Sequence, residues 1–216
     1  YRHGVSFPAA LLVTLAVEHR FAEGLTLKNR TTFGDYDKFY QNIFANSTAA
    51  SGTVALGAYN NRNDRRNLFS QTDLVWENKL AGIDQTLLVG FEVGREKSRN
   101  KRLTGRFVGQ NSVTLSDPTL DANVIFEPLI SDADNRVHAN VAAIYAQEQL
   151  RPAHWIEIVA GLRYDSLKID VDDLRAVGGG QFSRRDHLWS PRLGLVLKPT
   201  DTLSVYASYS RSYLPQ

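Results

Sequence analysis

The chain has 216 residues, enough for one domain with a sizeable core. Its 25 lysines and arginines against 23 acidic residues argue against a strongly basic or acidic partner, and the absence of cysteine excludes disulfides and cysteine-ligated metals. No apolar run approaches the roughly 18 residues that a transmembrane helix needs. The nearest, residues 7–17, is predicted to belong to a strand.

Apolar and polar residues alternate along the chain with a period of two, the side-chain period of a strand. The pattern predicts about eight strands and no helix. The predicted strands are, in order, residues 11–21, 25–44, 65–80 and 85–103, a hairpin from 137 to about 174 that turns at 151–154, and a final pair that starts near 188 and 203. Three stretches rich in Gly, Asn, Ser or Pro are predicted to be loops, at residues 46–63, 104–135 and 175–186.

The connections between these strands differ sharply in length. Short turns at residues 22–24, 81–84, 151–154 and 199–201 alternate with loops of a dozen to about thirty residues. A bacterial outer-membrane barrel has this asymmetry, with short periplasmic turns and long extracellular loops. Several predicted strands also exceed the roughly 3–10 residues usual in globular domains. These features favour a transmembrane barrel over a soluble sandwich, although the alternation itself fits both.

In such a barrel the apolar face contacts lipid, and the polar face lines a wet or plugged lumen. The hairpin at residues 137–165 shows the two faces. We predict that lipid contacts the apolar set of its first arm, Val137, Ala139, Val141, Ala143 and Tyr145, and that of its second arm, Ile156, Ile158, Ala160, Leu162 and Tyr164. Arg163 is then expected in the lumen.

Five stretches, taken in order, resemble the barrel domain of TonB-dependent ferric-siderophore receptors. They are LKNRTTFGDYDKFY, YNNRNDRRNLFSQTDL, TLLVGFEVGRE, YAQEQ with HWIEIVAGLRYD, and WSPRLGLVLKPTDTLSVYASYSRSYLPQ. The resemblance covers most of the chain and implies an all-β fold, an antiparallel up-and-down transmembrane β-barrel segment with about eight strands of a 22-stranded barrel. It implies that residues 1–216 are the middle portion of one barrel domain, with the plug domain and terminal strands outside this chain.

The resemblance also implies a function. We expect an outer-membrane receptor of a Gram-negative bacterium that binds a ferric siderophore and imports it with energy from the TonB complex. Its partners would be the ferric siderophore, the TonB complex and outer-membrane lipid, with no nucleic acid, no enzyme activity and no cofactor held by the protein, because iron travels as the siderophore complex. A passive porin or small structural outer-membrane barrel is the alternative, and a soluble β-sandwich binding module is a further one.

Candidate ligand-binding residues follow from the inward register. In the resembling receptors, aromatic and cationic side chains on the extracellular side hold the chelate, and arginine offers an anionic, aromatic ligand charge, hydrogen bonds and a stacking plane. The candidates are Tyr36, Tyr40, Arg65, Phe69, Glu96 and Arg102. Arg163 and Arg192 are expected to face the lumen lower down, nearer the plug. The loop-side arginines and tyrosines favour catecholate over hydroxamate siderophores.

No metal site is predicted. The histidines at positions 3, 19, 138, 154 and 187 lack a metal-binding spacing, and the acidic groups at 132–134 and 172–173 do not match an EF-hand loop, so we expect solvated loop acids. Gly178, Gly179 and Gly180 lack the context of a phosphate loop. No local motif selects a serine for hydrolase chemistry.

Overall fold

The computed structural model describes residues 5–213, so His3 lies outside the described part. These residues form ten strands joined by turns and loops. The strands are β1 Val5–Ala22, β2 Leu25–Ala45, β3 Thr53–Leu80, β4 Ile83–Val108, β5 Ser112–Thr114, β6 Asn123–Glu127, β7 Asp134–Ala153, β8 Ile156–Asp173, β9 Gly180–Thr200 and β10 Leu203–Ser210. No helix in this part of the chain is long and apolar enough to cross a membrane.

Eight long strands follow one another across a single antiparallel sheet in the order β1-β2-β3-β4-β7-β8-β9-β10, while β5 pairs with β3 and β6 with β4. The all-β, up-and-down prediction is therefore confirmed. Two-residue turns at 23–24, 81–82, 154–155 and 201–202 join consecutive strands into hairpins at one end of the strands, which we call the short-turn end. The longer connections lie at the other end of the strands, the long-loop end.

The turn at Gly24 shows how tightly one hairpin is fixed. Gly24 has a φ of 75°, a left-handed conformation that favours glycine, and its carbonyl accepts a 2.7 Å hydrogen bond from the Glu77 amide of β3. A Cβ at this position would overlap the Glu77 carbonyl oxygen. The turn therefore depends on glycine for both its backbone conformation and its clearance.

The predicted loops were too long. β3 begins at Thr53, so the loop predicted at 46–63 shrinks to 46–52. β4 runs on to Val108, and β5 and β6 lie within the predicted loop 104–135. β9 starts at Gly180, not near 188, and β1 starts at Val5, not 11. The added segment of β3 has small or apolar residues on both faces at 54–59 and polar residues on both faces at 60–64, and that of β9 is mostly polar, so neither shows the alternation by which strands are recognised.

The register divides the side chains between two faces. Partners in an antiparallel pair point to the same side, and the row Leu74, Val89, Ala146, Leu162 runs across four strands. We call this side the apolar face and the other the polar face. Other exposed residues of the apolar face are Phe91, Ile144, Trp189 and Leu193.

The apolar face is uncovered. Among residues 6–213 the buried apolar residues are only Val54, Ala58, Val113 and Ala143. A soluble sandwich would pack a second sheet against this face, and the described strands form one sheet with its large apolar side chains exposed. The sandwich alternative is therefore wrong. A continuous apolar surface of this extent requires an apolar environment outside the sheet.

The face predicted for the first arm of the hairpin was also wrong. Tyr145 lies opposite Arg163 in the register, so Val137, Ala139, Val141, Ala143 and Tyr145 belong to the polar face. Ile144, opposite Tyr164, lies on the apolar face of β7. The register shifts between Leu150 and Ala153, where β7 has one more residue than β8, and such a bulge inverts the faces counted from the turn.

Adjacent residues of β4 provide a test of the face assignment. Val89, 46% exposed, lies on the apolar face, and Leu88 lies on the polar face. In the full-length protein folded into lipid vesicles, we expect Val89→Arg to lower the free energy of unfolding by about 2–4 kcal/mol, because lipid would surround the new charge. Leu88→Arg should cost less than about 1 kcal/mol. Urea titration measures both, and equal losses would contradict the assignment.

Candidate functional site

All eight residues singled out from the sequence lie on the polar face. Tyr36 is opposite Arg65, and Tyr40 and Arg102 are both opposite Asn61. Phe69 and Glu96 follow the same alternation on β3 and β4, as do Arg163 on β8 and Arg192 on β9. The eight residues therefore share one face of the sheet, while their position in a lumen and their contact with a ligand stay predictions.

Five side chains meet on this face at the long-loop end, in what we call the rim cluster: Tyr40, Phe44, Tyr59, Arg102 and Asp132. Tyr59 lies at the centre. Its ring centroid is 5.6 Å from that of Tyr40 and 5.7 Å from that of Phe44, both in edge-on geometry, and the Arg102 guanidinium lies 4.2 Å from the same centroid. Aromatic pairs and cation–π contacts of this kind hold the rings in fixed positions.

Arg102 keeps binding capacity in this arrangement. Its Nε is buried and forms a 3.4 Å ion pair with Asp132 Oδ1, without hydrogen-bond geometry. The side chain as a whole is 43% exposed, so a ligand can reach the rest of it. The Lys38 ammonium lies 5.5 Å from the Tyr40 ring centroid. The rim cluster and the adjacent Lys38 therefore present two cations beside two phenol rings.

Asp132 is the anchor of the rim cluster and is only 4% exposed. Its carboxylate accepts hydrogen bonds from Thr104 N at 2.9 Å, Thr104 Oγ1 at 2.8 Å and Leu129 N at 2.9 Å. These bonds fasten the segment 128–132 to β4. The prediction of a solvated loop acid was therefore wrong for Asp132, because its partners come from a strand 28 residues earlier.

Tyr40 lies beyond the ten or so residues of β2 that a membrane crossing requires. Partial burial raises the pKa of its hydroxyl above the ordinary value, and its interaction with the Tyr59 hydroxyl adds to the rise. Arg102 opposes the shift without reversing it. The phenol is therefore protonated at neutral pH and can donate a hydrogen bond to an anionic ligand.

The other candidate ligand-binding residues do not belong to the rim cluster. Arg65 forms a 3.5 Å ion pair with Glu96, beside Tyr36. Phe69 lies flat across Gly94, where a Cβ would overlap its ring. A glycine also makes room for Tyr145, since a Cβ at Gly90 would lie 2.5 Å from that ring. The rings of Phe69 and Tyr145 therefore lie against the polar face of β4.

Nearer the short-turn end, Arg163 is the centre of a second group, the lower network, made by Asp73, Glu92, Tyr145, Arg163 and Asp165. Its guanidinium is 3.1 Å from Glu92 and 2.8 Å from Asp165, and it lies 5.3 Å from the Tyr145 ring centroid. The Tyr145 hydroxyl donates to Asp73. Two carboxylates thus pair with Arg163, and Arg192 and Arg211 line the same recess. Arg192, the other lower candidate, packs its stem over Gly161.

Tyr59 was missed by the sequence analysis because it falls in the segment predicted as a loop. The sequence does carry a weak sign of a strand here, because Tyr59, Asn61, Asn63 and Arg65 occupy every second position and share one face of β3. These residues include no apolar stripe, which is the usual sign of a strand. Among the residues described, no three His, Asp or Glu side chains are grouped to hold a metal ion.

The anchoring role of Asp132 can be tested by substitution in the full-length protein. Asp132→Ala would leave the Thr104 and Leu129 amides without their acceptor, at a cost of about 1–3 kcal/mol. We expect faster amide hydrogen exchange in residues 128–133. The control is Asp121→Ala, which removes an exposed acid from the connection between β5 and β6 and should leave that exchange unchanged. Unchanged exchange in Asp132→Ala would rule out the anchor.

Known proteins share both the sequence pattern and this sheet. The family model described as TonB dependent receptor-like, beta-barrel matches residues 2–216. The siderophore receptor PiuA from Acinetobacter baumannii superposes with a TM-score of 0.80 at 15% identity, over 96% of this chain and 33% of that one. The ferric-catecholate import receptor Fiu from E. coli K12, in its open form, gives 0.80 at 18% identity, over 97% and 36%.

FpvA from P. aeruginosa, solved with heterologous pyoverdines, gives a TM-score of 0.76 at 18% identity, over 96% of this chain and 27% of that one. At these identities the likeness shows the fold alone. The chain spans about a third of the length of the PiuA and Fiu structures. The match of the family model over nearly every residue, with the same sheet in these receptors, shows that the chain belongs to the TonB-dependent receptor family and forms part of its β-barrel.

Proposed function

We propose that this chain is wall and rim of an outer-membrane receptor that binds a ferric siderophore at the cell surface and imports it with energy supplied by the TonB complex. The family is one of transport receptors in the outer membrane of Gram-negative bacteria. The observation that carries the proposal is the rim cluster, in which Arg102 is stacked on Tyr59 with its guanidinium partly exposed.

The membrane fixes the orientation. Strands of this length cross the hydrocarbon in about 9–11 residues and continue beyond it on one side. The two-residue turns would lie in the periplasm, and the long-loop end would lie outside the cell. The apolar face would contact lipid and the polar face the lumen. The rim cluster would then be the first part of this wall that an external ligand meets.

The chemistry of the rim cluster suits a ferric catecholate. Such a chelate carries negative charge and aromatic rings, and an arginine meets both with a planar cation. The protonated Tyr40 hydroxyl adds a donor for an anionic oxygen. Iron would remain in the siderophore, so the protein would supply binding and passage without covalent chemistry or a cofactor of its own.

Comparison with the lower network supports binding at the rim. Arg163 is held by two carboxylates, Glu92 and Asp165, whereas Arg102 has an ion pair with Asp132 alone. Arg163 and Arg192 would instead face whatever fills the lumen. We take residues 1–216 as part of one barrel domain, with the plug domain and the remaining strands outside this chain.

Substitution of Arg102 tests the binding site. In the full-length protein, Arg102→Ala should raise the Kd for ferric tris-catecholate about 10–100-fold, because charge-assisted hydrogen bonds contribute roughly 1.5–3 kcal/mol. Arg102→Lys keeps the charge without the planar group that stacks on an aromatic ring, so its Kd should lie between those of the wild type and Arg102→Ala. Arg30→Gln, an exposed polar-face cation nearer the short-turn end, is the control and should bind normally. Isothermal titration calorimetry measures the Kd of the wild type and of the three variants.

Two outcomes distinguish failure of the proposed site from failure of the proposed function. Normal binding by Arg102→Ala would remove the rim cluster as the site. A full-length wild-type protein that binds no ferric catecholate or hydroxamate saturably would contradict the receptor proposal and favour a passive porin.

A further inference from the structure

Four cations follow one another on one side of β4. Arg95, Lys97, Arg99 and Lys101 occupy every second position, and they continue the line of Val89, Phe91 and Val93. They therefore belong to the apolar face, above its apolar part. The rim cluster and the candidate siderophore site are on the opposite side of the same sheet.

Neighbouring strands extend this line of cations. Lys97 lies opposite Arg66 of β3, and Arg99 lies opposite Arg136 of β7. We call the set the basic patch: Arg66, Arg95, Lys97, Arg99, Lys101 and Arg136. A recess of about 440 Å³ opens in it, lined on this side by cations and by the acids Asp35, Asp37 and Asp64.

The cations of the basic patch outnumber the acids that neutralise them. Arg66 pairs with Asp35 at 2.9 Å, and Arg99 pairs with Asp134 at 2.6 Å. Lys101 reaches the same Asp134 at 3.9 Å.

The remaining three cations, Arg95, Lys97 and Arg136, are exposed and form no ion pair with an acidic side chain of residues 5–213. Asp172 faces Arg136 in the register without coming within ion-pair distance. Three positive charges without a partner acid therefore lie in this part of the sheet, with Arg95 and Lys97 two residues apart on β4 and Arg136 diagonally across from Lys97 on β7.

The level of the basic patch along the strands is set by aromatic side chains. Phe91, Ile144, Tyr164 and Trp189 form one row of the apolar face. The Tyr164 and Trp189 ring centroids are 4.8 Å apart, and the Tyr164 hydroxyl lies 2.7 Å from Nδ1 of His187 on the loop side. Amphipathic rings of this kind mark the boundary between hydrocarbon and headgroups.

Arg95 follows Phe91 by four residues, which places its Cα about 9 Å further from the hydrocarbon for a strand tilted by about 45°. Long cationic side chains span part of that distance by reaching toward the interface. The charged ends of Arg95 and Lys97 would then lie at the depth of lipid phosphates, directly above an apolar surface that acyl chains can cover.

We propose that the basic patch binds the phosphate of an anionic lipid headgroup in the leaflet at the long-loop end, with the acyl chains against Phe91, Val93 and Ile144. The proposal rests on the membrane placement given above and is independent of the siderophore. A soluble anion would need only the cations. The apolar surface directly beside them favours a lipid, whose acyl chains can cover that surface.

Native mass spectrometry of the delipidated full-length protein tests the site, with phosphatidylglycerol and phosphatidylcholine of identical acyl chains as probes. The variant Arg95→Gln, Lys97→Gln, Arg136→Gln removes the uncompensated charges. The matched control Arg20→Gln, Lys28→Gln, Arg106→Gln removes three charges from the polar face. Heat-modifiable gel mobility checks that each protein is folded.

We expect the wild type to prefer phosphatidylglycerol and the basic-patch variant to bind it at least tenfold more weakly, since each cation near a lipid surface contributes about fivefold. The control should bind like the wild type. Equal affinity of the wild type for both lipids, or an equal loss in the control, would overturn the proposal.

Inorganic phosphate separates the two possible sources of the anion. Displacement of phosphatidylglycerol by millimolar phosphate would identify a soluble-anion site and overturn the lipid proposal. Ferric-chelate binding should persist in the basic-patch variant, so failure of the siderophore proposal would be seen separately.

Discussion

Continuous antiparallel strand pairing is the constraint on which the rest of this structure depends. Each long strand between β1 and β10 has a partner on both sides, so its backbone groups are satisfied within the sheet, as any structure that spans hydrocarbon requires. Because successive side chains point to opposite sides, the same register assigns every residue to the apolar or the polar face. Two chemically unrelated surfaces are thereby built from one strand pairing, and a one-residue error would exchange them.

The polar face is divided along its height. At the long-loop end, Arg102 and Lys38 lie beside aromatic rings, whereas further down Arg163 is outnumbered by carboxylates. This arrangement needs no core in the usual sense, since the sheet is one layer and its charged groups are fixed by partners two residues away, such as Asp165 for Arg163, or one strand beyond the next, such as Glu92 for Arg163. Anchoring by Asp132 extends the same order into a connecting segment.

Much of this fold could be predicted from the sequence, because turns and alternation are local signals. The four short turns, the up-and-down order and the position of Arg102 on the polar face follow from them. The face of Val141 could not be predicted, since small apolar residues occupy both sides of β7 and the bulge at 150–153 shifts the count. Tyr59 and Asp132 were missed because their roles arise from partners on other strands, which a local pattern does not contain.

Phe69 and Tyr145 lie across Gly94 and Gly90, where the wall has no side chain of its own. Each ring occupies the space that a side chain at the glycine would need, and so it lies close against the backbone of the neighbouring strand. Even an alanine at either glycine would displace the ring from the backbone, so two of the large side chains of the polar face are held in place by the absence of another.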